Sequence, residues 1–211
     1  MLVKERMSKP VITITPETSV QDALQIMREN KIRRLPVMEG KKLVGIVTER
    51  DLLYASPSPA TTLSIQEMHY MLSRLKVREI MKSPVITIDE NAPIEEAARL
   101  MADNKIGGLP VTRDGELVGI ITESDLFKVF TEMMAAREEG IRITLLVPEK
   151  KGALASITRA IASKGGNIVS LGQFWGEDLT TRTVTIKVSG ISREALEEAV
   201  SQEGIKVLDI R

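Results

Sequence analysis

LVGIVTERDL at residues 43–52 of this 211-residue chain returns as LVGIITESDL at residues 117–126. The match extends upstream without a gap: VKERMSKPVITI at residues 3–14 returns as VREIMKSPVITI at residues 77–88, a constant offset of 74 positions. A supersecondary unit repeated in this way is typical of a pseudo-two-fold pair, in which each copy buries a face of the other. The repeat therefore predicts two similar modules with a cleft for a ligand between them.

The composition narrows the class of protein. Lysine plus arginine equals aspartate plus glutamate at 29 each, so no overall field attracts nucleic acid or an anionic membrane. The absence of cysteine excludes disulfides, thiolate catalysis and cysteine metal sites. Residues 1–10 lack the apolar core of a signal peptide, and no apolar run approaches the ~20 residues of a membrane span. We therefore expect a soluble, cytoplasmic protein.

Each repeat has the pattern strand, helix, strand, strand, helix. The β-branched run 11–14 follows a proline and predicts an extended segment. Ser19 is the expected N-cap of the helix that follows, and Pro93 stands at the start of its equivalent. The face of the first helix has a spacing of three and four residues and consists of Val20, Ala23, Leu24 and Met27. Hairpins are predicted in both copies, at residues 35–47 and 109–121.

Further helices are predicted between and after the repeats. Residues 56–59, Ser-Pro-Ser-Pro, interrupt regular structure, and Ser64 with Glu67 forms a capping box for an inserted helix. The apolar face of the inserted helix consists of Ile65, Met68, Tyr70, Met71, Leu72 and Leu75. Another helix is expected from Ser124 to about Arg137. These patterns divide the chain into a first repeat (1–55), an inserted linker helix (56–76), a second repeat (77–138) and a C-terminal domain (139–211).

The C-terminal domain has a different pattern. Strand-like alternation begins with Ile141, Ile143, Leu145 and Val147, and a helix then ends at a Gly165-Gly166 pair. Two strands, a helix after Ser192 and a last strand follow, so the order is βαββαβ and ferredoxin-like. A unit of ~70 residues has a thin core, which favours self-pairing. The whole chain is therefore expected to be an α+β protein.

The repeated Gly-Ile-[Val/Ile]-Thr-Glu-x-Asp-Leu, with Leu-Pro-Val before it, closely resembles the cystathionine β-synthase (CBS) domain. The tandem, two βαββα repeats with a pseudo-two-fold axis, resembles a Bateman module. Residues 148–154 and Gly166-Asn167-Ile168 are similar to the loop and second strand of ACT domains, a regulatory fold for small ligands. The inserted stretch 59–64 and this domain order resemble the acetoin utilisation (AcuB) group of bacteria.

A nucleoside needs an acceptor for its ribose hydroxyls and donors for its phosphate. Asp51 and Asp125 each stand at the start of a helix, where a carboxylate can accept both ribose hydroxyls. Thr48 and Thr122, with the helix N-termini, offer donors to phosphate. The alternative is that the aspartates are only N-terminal helix acids and the threonines only caps. The two matching copies favour the nucleoside interpretation.

The resemblance also implies the walls of the pocket for the base. The positions that match the family's base pocket are Thr13, Ile14, Leu35, Pro36, Thr87, Ile88, Leu109 and Pro110. The resemblance further implies that basic residues just before Leu-Pro contact phosphate. Arg33, Arg34 and Arg50 of the first copy are replaced by Gly107, Gly108 and Ser124 in the second. This difference predicts one site for a phosphorylated ligand and one for a neutral nucleoside or none; the alternative is a solvated arginine patch.

In the ACT-like part, a helix N-terminus after Gly152 could hold an amino-acid carboxylate. The candidate ligand residues are Gly152, Ala153, Leu154 and Asn167, of which Asn167 matches a ligand position of the family. Lys151 stands where that family usually has proline, and Glu149 replaces a neutral polar residue. The preferred interpretation of this domain is therefore a dimerisation unit.

No catalytic or metal centre is visible in the sequence. His69 is the only histidine and lies among apolar residues of the inserted helix, which favours packing over metal ligation. No nucleophile–base pair or Walker loop is present, so we expect no enzyme activity and no catalytic cofactor.

These patterns together predict a homodimeric regulatory protein that senses AMP, ADP, ATP or S-adenosylmethionine for an unknown partner enzyme. The alternative is a scaffold with no ligand, which acts through the inserted helix and the ACT surface.

Overall fold

The computed structural model describes residues 1–56, 64–176, 178–201 and 204–211. The chain forms two compact units, Met1–Leu126 and Phe127–Arg211. The predicted breakers Pro57 and Pro59 lie outside the described residues. Among the described residues, no helix has the length and apolar character needed to cross a membrane.

The first repeat consists of helix α1 (Val20–Glu29), strands β1 (Arg34–Glu39) and β2 (Lys42–Thr48), and helix α2 (Glu49–Tyr54). Helix α3 (Ile65–Arg74) is the inserted helix. The second repeat consists of β3 (Ile88–Asp89), α4 (Ile94–Asn104), β4 (Gly108–Arg113), β5 (Glu116–Thr122) and α5 (Glu123–Met133). Both hairpins are antiparallel, as predicted. Ser19 and Ser64 cap α1 and α3 through the backbone N–H groups of Asp22 and Glu67, which confirms both predicted caps.

Two details differ from the sequence prediction. In the first copy, only Ile14 of the predicted extended run forms a bridge, to Val37, whereas the second copy has the two-residue strand β3. Helix α5 ends at Met133 rather than near Arg137, because Ala135 adopts a left-handed conformation (φ 48°) that breaks the helix.

The two repeats exchange their N-terminal segments. The backbone N–H of Val3 donates to Ala92 O at 3.0 Å, and Ser8 pairs with Ile120 of β5. Reciprocally, Lys82 pairs with Ile46 of β2. Each repeat is thus completed by a short segment that belongs to the other repeat in the sequence.

The exchange is visible in the core of the first repeat. Val77, from the second copy, is fully buried in the cluster that also contains Leu35 and Leu52. Leu72 and Leu75 of α3 pack against the same cluster. Tyr70 and Met71 are exposed on α3, and the side chains of Ile65, Met68 and His69 lie outside the described residues.

The second unit contains a four-stranded antiparallel sheet in the order β7-β8-β6-β9. Its elements are β6 (Ile141–Pro148), α6 (Ala153–Ser163), β7 (Asn167–Trp175), β8 (Thr181–Ser189), α7 (Arg193–Val200) and β9 (Lys206–Ile210). The predicted βαββαβ order is therefore confirmed, and the α+β fold class with it. Alternate residues of β6, including Ile143 and Leu145, are fully buried beside Ile157 of α6 and Leu196 of α7.

The segment after α5 is hydrogen-bonded to the sheet of the second unit. Lys187 Nζ on β8 donates to Ala135 O at 2.8 Å and also to Glu138 O. Met134 Sδ lies close to Gly172 on β7. This turn therefore packs with the C-terminal sheet.

Candidate functional site

Each repeat carries the same Thr–Asp arrangement at the start of its last helix. Asp51 Oδ2 accepts hydrogen bonds from Thr48 N (3.0 Å) and Thr48 Oγ1 (2.6 Å). Asp125 Oδ2 accepts from Thr122 N (3.0 Å) and Thr122 Oγ1 (2.8 Å). The capping alternative is therefore correct for one oxygen of each carboxylate. The role of Oδ1 decides whether a ribose can also be bound.

In the first repeat, Asp51 Oδ1 faces a lysine from the second. Lys82 Nζ lies 3.1 Å from this oxygen; the side chain of Lys82 is 67% exposed and that of Asp51 is 16% exposed. Burial alone would raise the pKa of Asp51, but the hydrogen bonds from Thr48 and the pairing with Lys82 outweigh it and hold the pKa below its ordinary value. The candidate ribose acceptor is therefore ionised and paired.

Within each copy, backbone pairing places the two segments that carry the predicted base-pocket residues side by side. Ile14 N donates to Pro36 O at 3.1 Å, so the segment with Thr13 lies beside β1. In the second copy β3 pairs in parallel with β4. Thr13 is exposed and Thr87 half-buried, whereas the remaining six residues are buried: Ile14, Leu35, Pro36, Ile88, Leu109 and Pro110. Ile14 and Leu35 belong to the hydrophobic core of the first repeat.

Two of the three candidate arginines in the first copy, Arg33 and Arg50, contact residues of their own repeat. Arg33 Nε lies 4.0 Å from Glu49 Oε2, and both side chains are well exposed. The Arg50 guanidinium lies over the Tyr54 ring, 5.2 Å from its centroid, and donates to the Tyr54 hydroxyl at 3.3 Å. Ser124, the counterpart of Arg50, is exposed.

Arg34 reaches into the second repeat. Its guanidinium lies against Gly107, at a position where a Cβ of residue 107 would collide with Nη2 and lie 2.7 Å from Glu123 Oε2. Burial lowers the pKa of Arg34, which the Glu123 carboxylate opposes. The glycines of the second copy thus make room for an arginine of the first.

Lys82 is absent from the site residues predicted from the sequence, although the comparison of the two repeats contains an indication of it. Its counterpart at the offset of 74 is Ser8, so an uncharged position gains a charge in the second copy. Only the segment exchange brings that charge to the first repeat's Asp51.

The ACT-like candidate residues do not meet at one place. Gly152, Ala153 and Leu154 line a cavity of about 320 Å³ together with Glu149 and Arg182. Asn167 is absent from its lining: it lies opposite Ser189, at the end of β7 away from Trp175, which lies opposite Arg182.

Arg182 occupies the cavity wall. Its guanidinium lies 3.5 Å from the centroid of the Trp175 ring and pairs with Glu149. The negative charge of Glu149 is therefore balanced within this chain. Trp175 itself is 64% exposed.

Within the described parts of the chain, no group of three or more His, Asp or Glu side chains is arranged to hold a metal ion.

The chain belongs to the CBS-domain family: the model of the CBS domain matches residues 3–58 and 77–132. The model of the TTHA0829-like ACT domain matches residues 139–211. The tandem and ACT resemblances are thereby confirmed.

Two similar curated proteins each match 64% of this chain. A CBS domain-containing protein of Dictyostelium discoideum is 39% identical over 136 residues, which are 64% of this chain and 94% of that protein. An inosine-5'-monophosphate dehydrogenase of Korarchaeum cryptofilum is 38% identical over 136 residues, but they cover only 25% of that enzyme. The similarity therefore leaves most of the enzyme unmatched.

Two solved structures are informative. The CBS domain pair of protein MJ0100, in complex with 5'-methylthioadenosine and S-adenosyl-L-methionine, has a TM-score of 0.53 and 31% identity, and covers 65% of this chain and 98% of its own. A Vibrio cholerae protein named after the acetoin utilization protein AcuB has a TM-score of 0.53 and 31% identity, and covers 66% of this chain and 98% of its own.

Proposed function

We propose that this protein is a regulatory sensor that binds adenine nucleotides at the clefts between its two CBS repeats. The observation that carries the proposal is the pair of equivalent Thr–Asp arrangements, Thr48–Asp51 and Thr122–Asp125, in repeats joined by exchanged segments. An ionised carboxylate at a helix start is suited to accept the hydroxyls of a ribose.

The similarity to the MJ0100 domain pair supports the ligand class. That pair was solved with two adenosyl compounds, both of which carry a ribose and an adenine. We extend this class to AMP, ADP, ATP and S-adenosylmethionine for this chain, with Thr13, Thr87 and the adjoining strand ends beside the base.

Regulation would follow from a population shift. A ligand that contacts both repeats favours the arrangement of repeats in which both contacts are made. Coupling free energies of about 1–3 kcal/mol are typical of such sensors. We propose that the ACT domain is the dimerisation unit of a cytoplasmic homodimer. Through it, the shift is transmitted either to the second subunit or to a partner enzyme. The cavity of this domain at Gly152 is a second candidate ligand site.

A scaffold without a ligand is the rival function, and one observation favours it. Large apolar side chains are exposed on the helices: Tyr70, Met71, Phe127, Phe130 and Met133. Phe127, Phe130 and Met133 are spaced three residues apart on α5, and neighbouring exposed apolar residues on one helix are typical of protein–protein contacts.

Isothermal titration calorimetry of the full chain with adenosine, AMP, ATP and S-adenosylmethionine separates the two functions. The sensor requires saturable binding of at least one compound, with a loss of affinity in Asp51→Ala or Asp125→Ala. If none of the four binds, the scaffold is favoured.

A further inference from the structure

Backbone hydrogen bonds fix the position of Lys82, whereas its side chain is largely exposed to solvent. Its N–H donates to Ile46 O at 2.9 Å and its carbonyl accepts from Ile46 N at 3.1 Å, so its Cα is fixed beside β2. The side chain, 67% exposed, extends to Asp51 Oδ1 at 3.1 Å. Solvent at the exposed ammonium weakens this ion pair and allows it to open, although the Asp51 side chain itself is only 16% exposed.

The ammonium competes with a ribose for the same oxygen. Asp51 Oδ2 already accepts from Thr48 N and Thr48 Oγ1. Oδ1 faces Lys82 Nζ. A ribose hydroxyl that donates to Asp51 must therefore displace the ammonium or share the oxygen with it.

We propose that Lys82 makes the first cleft selective for phosphorylated nucleosides by exchanging its partner from Asp51 to the phosphate of the ligand. This inference rests on the proposed function. When a nucleotide binds, the ammonium leaves Asp51 to the ribose and pairs with the phosphate, so both charges remain compensated. A neutral nucleoside offers no such partner, and Lys82 then competes with it for Asp51.

The chemistry of lysine suits this exchange. Its ammonium is a compact charge on a flexible four-carbon stem, and lysine is a common phosphate ligand. The three candidate arginines of this repeat have different surroundings: Arg33 faces Glu49, Arg50 lies over Tyr54, and Arg34 lies against Gly107 beside Glu123. Lys82 differs from them because its partner is the candidate ribose acceptor itself.

The test compares AMP and adenosine by calorimetry on the full chain and on Lys82→Ser, which introduces the residue of the equivalent position, Ser8. The binding component lost in Asp51→Ala identifies the first cleft. We expect Lys82→Ser to lower the AMP-to-adenosine affinity ratio at least tenfold, with adenosine affinity unchanged or increased. Lys82→Arg, which retains the charge, should retain most of the ratio.

The control is Lys42→Ser, which removes an exposed lysine from the opposite end of β2 and should leave the ratio unchanged. Circular dichroism checks that every variant is folded. A ratio in Lys82→Ser equal to that of the wild type overturns the role of Lys82 while leaving the nucleotide sensor intact. Failure of the wild type to bind AMP or adenosine overturns this inference, whereas the proposed function is overturned only if ATP and S-adenosylmethionine also fail to bind.

Discussion

Arg34 lies against Gly108, the residue that occupies its own position in the second repeat. A Cβ on Gly108 would lie 3.1 Å from Arg34 Cδ and 3.1 Å from Ile121 O. Equivalent positions thus meet across the pseudo-two-fold axis, where two arginine side chains would crowd each other. Packing therefore explains why arginine at position 34 is matched by glycine at position 108, in addition to any role of this difference in ligand selection.

Gly108→Ala should destabilise the protein by about 1–3 kcal/mol, the usual cost of overpacking, because the Arg34 stem and a backbone oxygen must both move. Urea denaturation measures the change. In a double-mutant cycle, Arg34→Ala should recover part of the loss, since it removes one of the two close contacts. Strict additivity of the two changes would contradict the proposed contact.

Arg34→Ala should also reduce the preference of the first cleft for AMP over adenosine and leave adenosine binding nearly intact. Charge-assisted hydrogen bonds to phosphate contribute about 1.5–3 kcal/mol when desolvated, and a factor of ten in affinity corresponds to about 1.4 kcal/mol. Arg33→Ala, whose arginine faces Glu49, is the matched comparison and should have a smaller effect. Raised salt should act in the same direction as Arg34→Ala, because exposed charges are screened. Equal binding of AMP and adenosine by the wild-type cleft would argue for a solvated patch.

Asp51→Ala should abolish or weaken nucleotide binding to the first cleft. The side chain is a capping acceptor rather than a freely exposed acid, so the stability cost should be about 1 kcal/mol, the typical loss of a helix cap, within a range of roughly 0.5–2 kcal/mol. Calorimetry and urea denaturation measure the two effects. Glu49→Ala removes a neighbouring acid of the same helix turn and should preserve binding. Unchanged nucleotide affinity in Asp51→Ala would exclude the ribose assignment.

Glu90 should make the stability of the protein dependent on acid pH. Glu90 is only 6% exposed. The hydrogen bonds that Arg113 donates to its carboxylate hold the pKa of Glu90 below its ordinary value of 4.5. A lowered pKa stabilises the fold above the ordinary value, and this stabilisation is lost as the pH falls through the lowered value.

The comparison for Glu90 is Glu90→Gln, which cannot ionise. The wild type should be more stable than this variant near pH 7, and the difference should shrink as the pH is lowered from 5 to 3. Urea denaturation at each pH measures it. A constant difference over that range would mean that the Arg113 pair does not contribute through its charge.

Light scattering at micromolar concentration should give twice the mass of one chain. Phe130 is 55% exposed on α5, and Phe130→Asp should weaken the self-association because a carboxylate disfavours an apolar contact. Leu179→Asp adds the same charge at an apolar residue outside α5 that is 78% exposed, and it is the comparison for the effect of charge alone. A monomeric wild type would refute the dimer.

The elements could be predicted from the sequence because their causes are local. A capping serine, Ser19 or Ser64, bonds a backbone N–H three residues away, and the alternation from Ile141 to Val147 places one face of a strand in the core. The repeat likewise predicted that Thr48–Asp51 and Thr122–Asp125 would have the same geometry. The early end of α5 could not be predicted from helical periodicity, because it depends on the left-handed Ala135 and on Lys187, distant in the sequence.

Local patterns in the sequence predict the two repeats, their hairpins, the capped helix starts and the ferredoxin-like order of the last domain. Contacts between distant parts of the chain depend on the packing of the repeats: Val77 lies in the core of the first repeat, Lys82 lies at Asp51, and Arg34 occupies the space left by Gly107. The tertiary structure also separates Asn167 from the cavity at Gly152. Caps and periodicity act within a few residues and can be recognised in the sequence, whereas these contacts arise only when complete modules pack and exchange segments.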